Sequence, residues 1–87
     1  MNNNESLRAD KWLWVCRIFK SRLISGKMIR FGKIRVNGRK LTKASSPIRV
    51  GDIVTLTRQD KILVVRVLSL PSRRGSAKSS QDWYETI

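Results

Sequence analysis

The chain has 87 residues, of which 19 are Lys or Arg and six are Asp or Glu, giving a formal net charge of +13. A chain this short forms one small core, so it has no room for a catalytic domain beside a binding domain. It contains no His, and Cys16 is its only cysteine. These absences exclude an internal disulfide and remove the commonest general base and metal ligand, so we expect neither a metal site nor a cofactor.

The apolar residues are sufficient for a folded protein but not for a membrane segment. They make up 40% of the chain, which is close to the usual globular share. The longest unbroken apolar run is Trp12 to Cys16. It is far shorter than the roughly 20 residues that span a bilayer, and it is also shorter than the apolar core of a signal peptide. We therefore expect a folded cytoplasmic protein.

The positive charge is concentrated in the first half of the chain. Residues 8–49 contain thirteen basic residues and a single acid, Asp10, whereas residues 50–87 contain six basic residues and four acids. This concentration of positive charge attracts a polyanion, because each phosphate that it neutralises releases counterions. A merely solvated surface would mix the two signs, and an anionic membrane would require an unburied amphipathic helix, so nucleic acid is the favoured partner.

The first predicted element is an amphipathic helix that begins at Asp10. The Asp10 side chain is a plausible N-cap. The apolar residues after it recur with helical spacing and form one stripe: Trp12, Val15, Cys16 and Phe19. The basic residues of this segment fall off the stripe and are expected in solvent: Lys11, Arg17 and Lys20.

A second helix is predicted directly after the first. Ser21 is its expected N-cap, and Gly32 is placed to end it. Its apolar stripe is predicted at Ile24, Met28 and Phe31, with Ile29 flanking it. Gly26 lies inside the helix and costs about 1 kcal/mol relative to Ala, which suggests a loosened outer surface.

The pattern then changes to the alternation of strands. Ile34 and Val36 are expected to face the core, with Lys33 and Arg35 facing solvent. Asn37–Gly38 is a type I′ turn signal, and a second hairpin is predicted for residues 53–56 and 62–68 across Gln59–Asp60. Helices followed by strands indicate an α+β fold, with two short N-terminal helices packed on a small antiparallel sheet.

The predicted domain organisation has three parts. Residues 1–6 are polar and expected to be disordered, residues 7–69 form the folded domain, and residues 70–87 form a basic, partly disordered tail. Near the end of the tail, Trp83 and Tyr84 either anchor a short terminal helix on the domain or contact a partner. The sequence pattern leaves both interpretations open.

Three segments of the chain resemble a known family. They are Arg8–Arg22, which opens R-A-D-K-W-L-W, the G-K-I-R-V-N-G segment Gly32–Gly38, and Val50–Ile53. In this order and spacing they resemble the S-four RNA-binding domain, also called the alpha-L motif, over about residues 7–69. Four motifs are similar to the heat-shock-fifteen branch and its short ribosome-quality-control relatives: the D-K-W-L-W opening, the K-S-R at the helix junction, and the tail segments Arg73–Ala77 and Asp82–Glu85.

The resemblance implies a non-catalytic protein that binds ribosomal RNA of the large subunit and tRNA, on subunits that still carry a peptidyl-tRNA. Arg8 and Arg22 match basic positions of the family that flank the first helix. With the other cations of the helices and of the adjoining strand and turn, they make up the predicted RNA-binding set: Arg8, Lys11, Arg17, Lys20, Arg22, Lys33, Arg35 and Arg39. We expect a monomer with no membrane or small-molecule partner.

The remaining distinctive residues have structural explanations. Asp10 is expected to cap the helix or hold a neighbouring Arg, and Trp12 and Cys16 are expected in the core. Trp14 lies off the stripe and is the better candidate of the two tryptophans for packing on the tail or on a partner. An enzyme is the weakest hypothesis, since no Ser-His-Asp or Cys-His set is available. A nucleoid-type DNA-binding protein stays open, because phosphate attraction does not separate RNA from DNA.

Overall fold

The computed structural model describes residues 5–72 and 82–87, so the predicted disorder of residues 1–4 and the tail segment 73–81 lie outside the described residues. Two helices, α1 (Ala9–Val15) and α2 (Arg22–Arg30), precede most of the strands. The described strands are β1 (Leu7–Arg8), β2 (Ile34–Val36), β3 (Arg39–Lys40), β4 (Pro47–Ile48), β5 (Ile53–Arg58), β6 (Lys61–Val67) and β7 (Tyr84–Thr86). The predicted α+β class is confirmed.

The strands form two antiparallel sheets. The larger has the order β3-β2-β5-β6-β7, and β1 pairs with β4 in a separate two-stranded ribbon. Ile34 lies opposite Leu56, and Val54 lies opposite Val65. Because directly opposed residues share a face, these four side chains line the inner face of the sheet, where all are buried.

Helix α1 begins differently from the prediction. Its N-cap position is Arg8, and Asp10 lies in the first turn, so the assignment of Asp10 as N-cap is wrong. The first helical amides are satisfied by a loop instead, since the Ala9 N–H donates to the Ser46 carbonyl at 2.8 Å and the Asp10 N–H donates to the Ala44 carbonyl at 3.1 Å. The Asp10 carboxylate is therefore available for other partners.

The predicted apolar stripe of the first helix is buried, although the helix itself is shorter. Trp12, Val15, Cys16 and Phe19 all lie in the core, but α1 ends at Val15 and Phe19 follows it. Arg17 has φ 61°, in the left-handed region, and turns the chain after the helix. The backbone thus leaves the helical path while Phe19 still reaches the core.

Helix α2 is capped as predicted but buries a partly different face. The Ser21 Oγ accepts a hydrogen bond from the Ile24 N–H at 3.1 Å. The predicted apolar face is right only in part. Met28 packs against the core and the flanking Ile29 is buried, but Ile24 and Phe31 are exposed. Ser25 and Gly26 are buried in their place. Small residues allow the helix to approach the rest of the domain closely, and a Cβ at Gly26 would lie 3.8 Å from that of Ala44.

Both predicted hairpins are present. Asn37 and Gly38 have φ of 53° and 81°, and Gln59 and Asp60 have φ of 53° and 62°, as type I′ turns require. The Asn37 Oδ1 also accepts a hydrogen bond from the Ile53 N–H at 2.9 Å. This contact ties the first turn to the start of β5.

The end of the chain forms a strand. Tyr84–Thr86 pairs with β6, so Tyr84 lies in a strand where the sequence pattern left a short terminal helix open. Trp12 connects this region to α1, because its ring meets the Tyr84 ring edge-on at 6.3 Å and its Nε1–H donates to the Ser69 carbonyl at 3.0 Å. Part of the predicted tail thus completes the sheet and closes the core.

Of the helices in residues 5–72 and 82–87, neither is long and apolar enough to cross a membrane.

Candidate nucleic-acid interface

Asp10 binds the two arginines that lead the predicted RNA-binding set. The Arg8 guanidinium is bidentate, with Nε 3.2 Å from Asp10 Oδ1 and Nη2 3.2 Å from Oδ2. Arg22, at the start of α2, donates from Nε to Oδ2 at 3.4 Å. The expectation that Asp10 holds a neighbouring arginine is confirmed.

This arginine cluster, defined as Arg8, Asp10 and Arg22, has an excess of positive charge. The Asp10 side chain is only 9% exposed, whereas those of Arg8 and Arg22 are 53% and 42% exposed. One carboxylate offsets one of the two cations, and both guanidinium groups still face solvent. The cluster therefore presents oriented donors to an incoming anion.

Arg30 extends towards the same region and was not in the predicted set. Its Nη1 lies 3.2 Å from the position that a Cβ would occupy at Gly26, so its side chain folds back along the helix into the space that glycine leaves. Gly26 itself packs beside Ala44, whose carbonyl accepts the Asp10 N–H. The sequence does contain a signal for this arrangement, since the i, i+4, i+8 spacing of Arg22, Gly26 and Arg30 places them on one side of a helix.

Arg17 and Lys20 line a cleft of about 410 Å³ between the two helices and the β5–β6 turn. Arg58 also lines it and donates from Nη1 to the Ile18 carbonyl at 3.1 Å. Arg58 is 41 positions along the chain from Arg17, and no local pattern connects them. The sheet thus brings a third basic residue to the link between the helices.

The predicted strand residues lie on two different faces. Lys33 and Arg35 are exposed on the outer face of the large sheet, where Lys40 lies opposite Arg35. Arg39 lies opposite Val36 and therefore points to the other face. There it lines a second cleft, of about 430 Å³, together with Arg49. The structure does not bring Arg39 together with Lys33 and Arg35.

Lys11 and Cys16 complete the helical region. Lys11 is half-buried, and Trp14 lies one turn further along the same side of α1. Burial raises the pKa of the Cys16 thiol to about 12, so this cysteine stays protonated at neutral pH. A buried neutral thiol is not a nucleophile, which agrees with its predicted place in the core.

Comparison with known proteins connects this geometry to a family. The model of the S4 domain, the S-four domain indicated by the sequence motifs, matches residues 7–54. The heat shock protein 15 homolog of Haemophilus influenzae is 31% identical over 81 residues, which cover 93% of this chain and 61% of the relative. Heat shock protein 15 of Escherichia coli K12 is 32% identical, over 91% of this chain and 59% of the relative.

A shorter relative is matched over more of its own length. The RQC P-site tRNA stabilizing factor of Streptococcus pneumoniae is 39% identical over 64 residues, covering 74% of this chain and 72% of that protein. Among solved structures, the trimeric heat shock protein 15 of Vibrio cholerae superposes with a TM-score of 0.90 at 29% identity, over 95% of this chain and 83% of that chain.

The chain spans about 60% of the length of the heat shock protein 15 relatives from H. influenzae and E. coli. The matched segment 7–54 covers more than half of the chain and contains β1, both helices and the first hairpin. It also contains every residue of the arginine cluster. The chain belongs to the S4 domain family.

Proposed function

We propose that this protein is a non-catalytic RNA-binding factor of the ribosome, and that it binds large-subunit ribosomal RNA and tRNA on subunits that carry a peptidyl-tRNA. The observation that carries the proposal is the arginine cluster, in which two half-exposed guanidinium groups are oriented by the only acid among residues 8–49. Each guanidinium has a planar set of donors suited to phosphate oxygens.

The orientation of the two arginines favours binding in a specific way. A flexible arginine loses side-chain freedom when it contacts a phosphate, whereas Arg8 and Arg22 are already held by Asp10. The contacts from Arg22 to Asp10 use Nε, so the outer edge of its guanidinium points away from the carboxylate. The arginine cluster supports phosphate contact at a fixed position, which is how proteins set their register on a nucleic acid.

The names of the relatives support the choice of partner. The S. pneumoniae protein and a second one from Bacillus subtilis, 36% identical over 74% of this chain, are named for stabilising tRNA in the ribosomal P site. The segment matched by the S4 domain model, residues 7–54, contains the basic residues of the helical region: Arg8, Lys11, Arg17, Lys20 and Arg22. We propose that these residues, with Lys33 and Arg35, contact RNA and that Arg39 contributes from the opposite face of the sheet.

The first experiment compares RNA with DNA. Binding of the full chain to tRNA, to a ribosomal RNA hairpin and to duplex DNA is measured at matched salt, and we expect tighter binding to the two RNAs. Equal affinity for all three would favour the nucleoid-type DNA-binding alternative, because phosphate attraction alone is common to both polymers.

The second experiment tests the arginine cluster with a matched control. Arg22→Ala and Arg66→Ala each remove one cation, and the two side chains are similarly exposed, at 42% and 49%, each with one carboxylate contact. We expect only Arg22→Ala to weaken RNA binding. Arg8→Ala combined with Arg22→Ala should reduce the salt slope by roughly 0.7 to 0.9 log units per lost phosphate contact. An unchanged slope would falsify this placement of the site.

The third experiment addresses the ribosome. Sedimentation with split ribosomal subunits, prepared with and without peptidyl-tRNA, should place the protein on large subunits and in greater amount when peptidyl-tRNA is present. Equal amounts on both preparations would contradict the tRNA part of the proposal. Sedimentation of the protein alone tests the proposed monomeric state against a trimer, the assembly named for the V. cholerae relative.

A further inference from the structure

Phe31 is an aromatic side chain displayed on the surface at the end of α2. It is 70% exposed, although the sequence pattern predicted it in the core. An aromatic ring provides a large contact area and a face on which another ring stacks, so an exposed ring is well suited to bind a partner. Its position in a strongly basic part of the molecule restricts what that partner is.

The backbone around Phe31 holds the ring in a defined place. The Phe31 N–H donates to the Lys27 carbonyl at 2.9 Å, the Gly32 N–H to the Ile29 carbonyl at 3.0 Å, and the Lys33 N–H to the Met28 carbonyl at 3.0 Å. Gly32 has φ +76° and allows this closure of the helix end. Phe31 is therefore the last residue of a fully hydrogen-bonded terminus and not part of a free loop.

Three lysines lie on the segments that adjoin Phe31. Lys27 lies one turn before Phe31 on the exposed side of α2, and Lys33 follows two residues later, also exposed. The Lys40 chain lies over Gly32, with Cδ 3.3 Å and Nζ 3.5 Å from the position that a Cβ would occupy there. Asp10, the only acid in residues 8–49, binds Arg22 at the opposite end of α2.

We propose that Phe31 stacks on an unpaired RNA base, while Lys27, Lys33 and Lys40 neutralise the phosphates on either side of that base. This inference deepens the proposed function and rests on it. An exposed aromatic ring within a positive groove is the arrangement with which proteins hold unpaired bases, since every base has a stacking face and every linkage a phosphate. Purely duplex RNA would use the cations and leave the ring without a contact.

The charge around the ring favours RNA over a protein partner. Protein interfaces are depleted of lysine, because burying an ammonium group without a partner is costly. Three lysines next to one exposed ring fit a polyanion better. Leu23, the other strongly exposed apolar residue of the helix, lies two turns away at the arginine cluster end. Ile24, 39% exposed, and half-buried Met28 lie on the same side of α2 as Phe31, so the ring is the most exposed member of a narrow apolar strip.

The test removes the aromatic ring and keeps its apolar character. Phe31→Leu, Phe31→Trp and the control Leu23→Ala are measured against two RNAs of equal phosphate number, a hairpin with an unpaired loop and a fully paired duplex. We expect Phe31→Leu to bind the looped RNA roughly tenfold more weakly and the duplex unchanged, with Phe31→Trp restoring the affinity. Leu23→Ala, 69% exposed on the same helix, should bind both RNAs as the wild type does.

The outcomes separate this inference from the proposed function. If Phe31→Leu binds the looped RNA as well as the wild type does, while the Arg8 and Arg22 double variant loses both RNAs, stacking is overturned and the proposed function stands. If the wild type binds neither RNA, the proposed function itself fails. If Phe31→Leu loses only binding to ribosomal subunits and not to free RNA, Phe31 contacts a ribosomal protein and stacking is again overturned.

Discussion

The helical region and the outer edge of the large sheet carry ion pairs of very different kinds. In the arginine cluster, a nearly buried carboxylate holds two arginines from separate elements. At the sheet edge, Arg66 of β6 pairs with Glu85 of β7, and both side chains are about half exposed. The first arrangement orients cations and leaves an excess charge, whereas the second neutralises itself. The positions of the few acids thus determine which parts of this basic protein present an excess of positive charge.

The two regions also differ in how they use small residues. In α2, Gly26 gives space to the Arg30 guanidinium and allows contact with Ala44. In the first hairpin, Gly38 has φ +81° and no atom within 4 Å of the position of a Cβ, so it is required by the turn alone. The glycine of the helical region serves packing and charge placement, and the glycine of the sheet serves backbone geometry.

The largest expected difference is between the losses of stability that follow when each of the two carboxylates is removed. Asp10→Ala should lower the free energy of unfolding by about 2 kcal/mol, because it leaves two adjacent guanidinium groups and the Lys11 N–H without their acceptor. Glu85→Ala should cost less than about 1 kcal/mol, as exposed ion pairs do. Urea denaturation of both variants measures the contrast, and equal losses would contradict it.

The next largest effect is a loss of stability at alkaline pH, and it arises from a single residue of the helical region. The folded state keeps the Cys16 thiol protonated up to a pKa of about 12, whereas the unfolded chain loses this proton near pH 9. Above pH 9 the unfolded state therefore binds fewer protons, and stability falls by up to about 1.4 kcal/mol per pH unit until pH 12.

Cys16→Ala isolates this effect, since the two proteins differ only at this thiol. Unfolding free energies measured by denaturant between pH 7 and pH 10.5 should run parallel up to pH 9. Above it, the wild type should lose stability faster than the variant. Parallel curves over the whole range would show that the thiol ionises in the folded protein.

The smallest effects come from the two glycines and have opposite signs. Gly26→Ala should raise the free energy of unfolding by about 0.5–1 kcal/mol, because the flexible Arg30 side chain moves aside and the helix gains propensity. Gly38→Ala should lower it by about 1 kcal/mol, because alanine is strained at φ +81°. Thermal or urea unfolding measures both changes. A Gly26→Ala variant less stable than the wild type would show that the Arg30 side chain cannot move out of the space beside Gly26.

Local patterns predicted the elements whose residues interact with near neighbours in the chain. The Asn37–Gly38 and Gln59–Asp60 turns, the alternation of Ile34 and Val36, and the Ser21 cap are all present because each depends on a few consecutive residues. The apolar face of α2 was predicted only in part. Spacing alone favoured Ile24 and Phe31, but the helix approaches Ala44 through Ser25 and Gly26, which are too small to register as an apolar stripe.

The candidate site likewise contains residues that the local sequence predicted and residues that only the tertiary structure brings together. Arg8 and Arg22 were predicted from the sequence, and so was the holding role of Asp10. Arg30, Lys40 and Arg58 were missed, because their places depend on a glycine four residues away, on strand register and on a turn from the far side of the sheet. Arg39 was grouped with Arg35, but strand register places the two on opposite faces.

The amino-acid sequence by itself determined the class of fold, the two hairpin turns and the basic character of the first half, because composition and short-range geometry are written in consecutive residues. Only the tertiary structure decided which cations meet, which face of α2 is buried and that Tyr84–Thr86 closes the sheet. Those outcomes depend on close packing between distant segments, where a missing side chain or a one-residue shift in register changes every contact.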